Sequence, residues 1–266
     1  MTCLGCPEVG SVRDNWERRA VESGSQLSGV LFRGLSVTAN SVVDDWHSWL
    51  IRQVFLLNLA KGGRVLDLGC GYGRLSNVIA DERSDLVLTG QDIAMGYCRC
   101  FKQTIGSCVQ ADATQLPFID ESFDGILAVT CLMYVAPERI PELLNRLHSL
   151  LRPGGILLLL DPGLEVQRLV ARVRGTQVSS PTGGQGFTCE EYCKLIEGAG
   201  FVIKARGGNP WMSMALMIPG VAKAMGRRIS RVLARVGRID HQEAGYRAVA
   251  LHRWLLVQRP IGSALT

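Results

Sequence analysis

Three acids and three glycines carry most of the chemistry open to this chain. In VLDLGCGYGRLS, Val65 to Ser76, the acid Asp67 precedes glycines at every second position, Gly69, Gly71 and Gly73, with Cys70 between the first two. Glycine lets the backbone approach a ligand without a Cβ in the way. A helix opening directly after the loop offers free N–H groups and a positive dipole end to an anion, while Asp67 offers a negative charge to a cation. Spacing separates two ligand classes. A dinucleotide fingerprint places its third glycine where Arg74 stands, and a carboxylate gains nothing beside a pyrophosphate. A ligand with an ammonium and a carboxylate on the same end suits an acid beside a helix N-terminus.

The other polar positions fall into the same arrangement. Asp92, followed by Ile93, lies about 20 residues past the loop, where a carboxylate accepts hydrogen bonds from two vicinal hydroxyls. Asp112 and Ala113 follow a short strand, and Val129 and Thr130 end FDGILAVT. Asp67, Asp92, Asp112 and Thr130 all sit at the carboxyl ends of predicted strands, the edge at which open α/β sheets bind ligands.

The elements that must position these residues alternate. Apolar runs predict strands at Leu86–Gln91, Gly106–Gln110, Phe123–Thr130, Ile156–Leu160, Phe201–Ala205 and Ala248–Val257, besides the one entering the glycine loop. Between them, helices are expected over Leu75–Asp81, Met95–Thr104 and Ile140–Leu151. Another opens at Thr188 with a capping-box spacing to Glu191 and ends at Gly198. An amphipathic helix is expected from Ser41 to Ala60, after an irregular stretch from residue 1 to about 40. Alternation of this kind implies a parallel sheet with right-handed crossovers.

The chain has 266 residues, 47% of them hydrophobic, which supports one large α/β domain. Its net charge of +5 is too mild to argue nucleic-acid binding. No signal peptide is read at the N-terminus, and no apolar run reaches the ~20 residues that span a bilayer. With nine cysteines and no framework spacing, reduced thiols in the cytoplasm are expected. Cys3 with Cys6 and Cys98 with Cys100 lack a second correctly spaced pair, so no metal is expected.

In VLDLGCGYG, TGQDIA, QADATQLPF, FDGILAVTCLMYV and LRPGGILLLLDP, taken in order, the chain resembles the class I S-adenosylmethionine-dependent methyltransferases over about residues 60–205 and the final strand. The resemblance implies an α/β, Rossmann-like, seven-stranded and mostly parallel sheet. It implies a helical cap over residues 1–60, a methyltransferase domain over 61–266, and a lid-like helical insertion at about 207–245 before the last strand. It implies S-adenosylmethionine as cofactor, which carries the ammonium and carboxylate that the glycine loop favours. Asp67, Gly69, Cys70, Gly71 and Gly73 would cradle its methionine end, Asp92 with Ile93 its ribose, and Asp112 with Ala113 its adenine, beside Val129 and Thr130. The acceptor expected is a small, hydrophobic molecule such as a natural product, quinone, lipid or lipid-linked sugar, with O-methylation first. Two rivals stand beside it. One is a cofactor-binding homologue or partner subunit that transfers no methyl group. The other, a nucleic-acid methyltransferase, ranks lower because no Asn-Pro-Pro-Tyr-type motif follows the fourth strand, so no nucleic-acid partner is expected.

Methyl transfer from a sulfonium needs alignment and exclusion of water more than a dedicated base. Tyr134, after the fourth strand, is the candidate to face the acceptor. His47, between Trp46 and Trp49, is a candidate base or a solvated histidine. His148 and His252 read as structural. In the insertion, the apolar Trp211–Ile218 precedes Lys223, Arg227, Arg231 and Arg235 at four-residue spacing, with Arg228 and Arg238 beside them. That pattern over 211–238 fits either a pocket cover with a solvated basic face or a peripheral contact with an anionic membrane surface.

Overall fold

The computed structural model describes residues 11–33, 36–174, 184–209, 231–233, 235–236, 238, 246 and 250–262. Among these, seven strands form a single sheet: β1 Arg64–Leu68, β2 Val87–Asp92, β3 Ser107–Gln110, β4 Phe123–Val129, β5 Leu151–Pro162, β6 Val202–Gly208 and β7 His252–Gln258. Their order is β3-β2-β1-β4-β5-β7-β6. All pairings are parallel except those of β7, which runs antiparallel to β5 and β6. The chain steps outward from β1 to β3, then crosses back to β4 on the other side of β1. That reversal opens a crevice at the carboxyl ends of β1 and β4.

Side-chain alternation in the central strands feeds two cores. Leu158 and Leu160 of β5 join Trp46, Leu50, Phe55 and Ile79 on one face. Leu157 and Leu159 join Leu143, Leu144, Leu147, Tyr192 and Ile196 on the other. This is why LLLL reads as an unbroken apolar run: neither face of β5 meets water. The helices on the two faces are α3 Val37–Leu50 and α4 Arg74–Glu82 against α6 Ile140–Leu150 and α8 Cys189–Gly198. Helix α5, Met95–Thr104, crosses from β2 to β3 as expected.

Three expectations need correction. The stretch before residue 40 is not irregular from Ser11 onward: α1 Val12–Ser23 and α2 Leu27–Val30 form there. A capping box between Ser11 and Asp14 starts α1, and its inward face is too small and too charged to show an apolar period. Helix α3 begins at Val37, ahead of Ser41, because Ser36 Oγ caps it by accepting from Ala39 N at 3.2 Å. It passes at Ile51–Phe55 into a π turn and at Leu56–Asn58 into a 3₁₀ turn. Helix α7, Leu164–Arg174, follows β5 and was not anticipated.

The apolar Trp211–Ile218 and the basic Lys223, Arg227 and Arg228 lie outside the described residues. Arg231, Arg235 and Arg238 fall at helical, exposed positions, while Leu233 between them is buried in the core. Among the described residues no helix is long and apolar enough to cross a membrane. At α8, Thr188 Oγ1 accepts from Glu191 N at 3.2 Å, the N-cap half of the expected box. Replacing Thr188 by Ala should destabilise the protein by about 1 kcal/mol, read as a lower urea midpoint with an unchanged slope.

Candidate functional site

A cavity of about 270 Å³ opens at the carboxyl ends of β1, β2 and β4, at the lower end of the ~300–1,000 Å³ common for small-molecule sites. Asp67, the fourth residue of β1, is 5% exposed and accepts from Ser76 Oγ at 2.7 Å. Burial pushes its carboxyl up to about 6, against the opposing pulls of Ser76 and the Arg74 charge. Asp92 ends β2 and is equally enclosed, and burial raises it also to about 6. Its two oxygens accept from different backbone amides, Oδ2 from Gly71 N at 2.8 Å and Oδ1 from Ala94 N at 2.9 Å. The Ile93 amide also bonds this carboxylate, and of its about four acceptor sites one is left for a ligand hydroxyl.

The glycine loop is tight for a steric reason. Gly69 has φ +69° and a Cβ there would lie 2.9 Å from Cys131 Sγ; Gly71 has φ +54° and its Cβ would lie 2.9 Å from Val30 Cγ1. Any side chain at either position would fill the cradle. Cys70, Ile93, Ala113, Val129 and Thr130 line the cavity as expected from the sequence. Asp112 lines it too; its Oδ1 accepts from Thr114 N at 2.8 Å and Thr114 Oγ1 at 2.7 Å. Thr130 takes φ +52°, rare for a β-branched residue. Its N–H donates to Leu160 O at 2.6 Å, holding the chain where it leaves β4.

Gly73 departs from expectation. It opens α4 in the left-handed conformation and faces Phe101 and Ile105 of the α5 side, away from the cavity. A side chain there would meet Phe101 and Ile105, so glycine is what lets α4 pack on α5.

His47 also lies elsewhere. Helix α3 turns it inward with Trp46, leaving it 1% exposed and off the cavity wall. Its Nδ1 is 3.1 Å from Arg74 Nη2 and its Nε2 is 3.4 Å from His252 Nδ1. Burial, then the Arg74 and His252 charges, hold its pKa well below the ordinary value, and burial holds His252 down to about 3. A buried, neutral imidazole facing a guanidinium is no base for a ligand in the cavity. His148 stacks edge-to-face on Phe201 with centroids 5.0 Å apart, as a packing residue.

Tyr134 does reach the cavity, from the turn Leu132–Tyr134 after β4. Trp16 of α1 meets its ring edge-to-face at 5.2 Å. The Arg19 guanidinium sits 4.5 Å above Trp16 and donates to Leu31 O at 2.9 Å and Ser28 O at 3.0 Å. Glu17 accepts from Gly96 N at 3.0 Å and docks α1 on α5. Val12, Trp16 and Val30 thereby roof the site.

Sequence reasoning missed these roof residues, Gln91 and Arg74. Gln91 Oε1 accepts from Gly69 N at 3.3 Å while its amide donates to Ala111 O, bracing the glycine loop against the Asp112 loop. An amide inside a buried strand was the available signal, since a buried polar group must be bonded. Arg74, noted only for breaking the dinucleotide spacing, lines the cavity, forms an ion pair with Asp44 of α3 and donates to His47. Cys3 and Cys6 lie outside the described residues. Among the described residues no group of three or more His, Cys, Asp or Glu side chains is arranged to hold a metal ion.

Comparison with known proteins agrees with this geometry. Residues 65–155 match a family model described as a methyltransferase domain. An O-methyltransferase of Pyrenophora dematioidea is 30% identical over 194 residues, covering 64% of this chain and 72% of the relative. A fatty-acid O-methyltransferase of Mycolicibacterium smegmatis is 35% identical over 105 residues, 38% of each protein. Across the leading curated relatives the match spans only 38% to 53% of the relative's length. A crystal structure from Thermotoga maritima, described as a SAM-dependent methyltransferase and possible histamine N-methyltransferase, shares the fold. Its TM-score is 0.61 at 16% identity, covering 93% of this chain and 99% of that one. The matched methyltransferase domain, the shared fold and an alignment over most of one relative lead to a single assignment: the chain belongs to the class I S-adenosylmethionine-dependent methyltransferase family.

Proposed function

We propose that the protein transfers the methyl group of S-adenosylmethionine to a small, hydrophobic acceptor, with oxygen the favoured nucleophile. The observation that carries this reading is one cavity lined both by Asp67, Asp92 and Asp112, from the ends of successive strands, and by the apolar Val12, Trp16, Val30 and Val135. The cofactor, when bound, supplies a methyl group already activated by its sulfonium. Asp67 would hold the ammonium of its methionine end, and Arg74 with the α4 N-terminus the carboxylate. Asp92 would accept from the ribose hydroxyls, and Asp112 from the adenine amine.

What remains for the protein is alignment and dryness. The α1–α2 roof excludes water, which strengthens the fixed dipoles around the reacting atoms. Tyr134, steadied by Trp16, would orient the acceptor oxygen with its phenol. An acceptor already ionised at neutral pH, such as a carboxylate or an acidic phenol, needs no further base. The O-methyltransferase and fatty-acid O-methyltransferase relatives support an oxygen acceptor attached to an apolar body.

The test is incubation with methyl-labelled S-adenosylmethionine and a panel of phenols, hydroquinones, long-chain carboxylic acids and RNA. Label entering a small molecule, with S-adenosylhomocysteine formed in equal amount, supports the proposal. Label entering RNA alone, or cofactor binding with no transfer to any acceptor, overturns it.

Two further outcomes follow. Burial pushes Asp67 and Asp92 up to about 6, and their charged forms hold an ammonium and accept from hydroxyls more strongly than the protonated acids do. Below pH 6 protons compete with the ligand, so affinity falls as pH falls. Calorimetry should show S-adenosylhomocysteine binding about ten- to a hundred-fold weaker at pH 5 than at pH 7.5, with Asp67→Asn both weaker at pH 7.5 and flatter with pH. Tyr134→Phe should lower kcat roughly tenfold, one lost hydrogen bond to the acceptor, while the KM for the cofactor stays unchanged.

A further inference from the structure

We propose that the buried pair His47 and His252 are positioning residues that hold Arg74 toward the carboxylate of the cofactor's methionine end. The inference rests on the cofactor reading above and adds to it a second layer of residues outside the cavity.

Arg74 is the first residue of α4, and its side chain must span from the glycine loop to the cavity wall. A free arginine loses rotamer entropy on being fixed, so its direction has to be imposed. Two residues one turn apart on α3 impose it. Asp44 pairs with Nη1, and His47 Nδ1 lies 3.1 Å from Nη2. Those bonds use two of five N–H donors and leave the others for a ligand.

The protons on the histidines follow from this geometry. A guanidinium only donates, so Nδ1 of His47 presents its lone pair and the proton sits on Nε2. That N–H points at His252 Nδ1, 3.4 Å away, which therefore accepts and carries its own proton on Nε2. The line of bonds runs one way, from Arg74 through His47 to His252, and needs both rings neutral. His252 is itself fixed. Its backbone N–H donates to Asn209 Oδ1 at 3.0 Å, its ring stacks on Trp46 at 6.3 Å and 10°, and Phe32 lies 5.7 Å away.

A neutral acceptor at position 47 has a chemical reason. Asp44 already balances the Arg74 charge. With Asp67 also in the Arg74 field, a further carboxylate at position 47 would add repulsion toward an incoming carboxylate, whereas imidazole fixes the guanidinium without adding charge. The chain thus uses a histidine from α3 and one from β7 to aim a cation that belongs to neither.

Binding of two ligands separates this from simple core filling. S-adenosylhomocysteine carries the amino-acid end; 5′-methylthioadenosine lacks it. His47→Phe keeps an aromatic ring but no acceptor, and should bind S-adenosylhomocysteine about tenfold more weakly while methylthioadenosine changes less than twofold. His47→Gln restores an acceptor and should recover affinity to within about threefold of wild type. His252→Phe, one bond further out and farther from Arg74, should show the same selectivity at about threefold, and decides the matter if His47→Phe does not fold. Equal weakening of both ligands, or of neither, overturns the proposal alone. Failure of the wild-type protein to bind S-adenosylhomocysteine overturns the cofactor reading and this proposal with it.

Discussion

Two carboxylates, Asp67 and Asp92, are taken out of water at the same sheet edge, and the surrounding structure is arranged around that cost. Each is all but fully buried, and the Asp92 charge adds to the burial that raises Asp67. Desolvation is offset in part by short-range donors: Ser76 for Asp67, the amides of Gly71 and Ala94 for Asp92. Those donors come from the glycine loop, α4 and the start of α5, so the loop conformation and the acids stabilise each other. A ligand with an ammonium and vicinal hydroxyls completes the bonding that the protein leaves open.

The roof exists for the same reason. An electrostatic site open to bulk water is screened, and its dipoles are worth little. Helix α1 closes the cavity with Trp16, which sits between Arg19 above and the Tyr134 ring. Arg19 is buried by donating to two carbonyls of the α2 segment, which ties the two short helices together. From the other side, Asp161 pins the turn that carries Tyr134. Its Oδ1 accepts from Met133 N at 3.2 Å and its Oδ2 from Tyr192 Oη at 2.7 Å, and burial lifts its carboxyl to about 7. Both sides of the Tyr134 turn are thus fixed by buried polar contacts.

The sequence by itself determined the sheet and the ligand-facing wall. The buried parallel strands read as apolar runs because neither face can be polar, and the acids read as ligands because each follows such a run. Helices α5 and α6 were legible to within a residue because their apolar stripes face the sheet directly. What only the tertiary structure decided is the second layer: that Gly73 packs on α5, that α1 folds over the cavity, and that His47 serves Arg74 instead of a substrate. These depend on contacts between residues far apart in the chain, such as Glu17 with Gly96 or His47 with His252. Local periodicity carries no record of such pairs. Whether a histidine faces ligand or core is a matter of helix rotation and neighbours, which the fold sets and residue type alone does not.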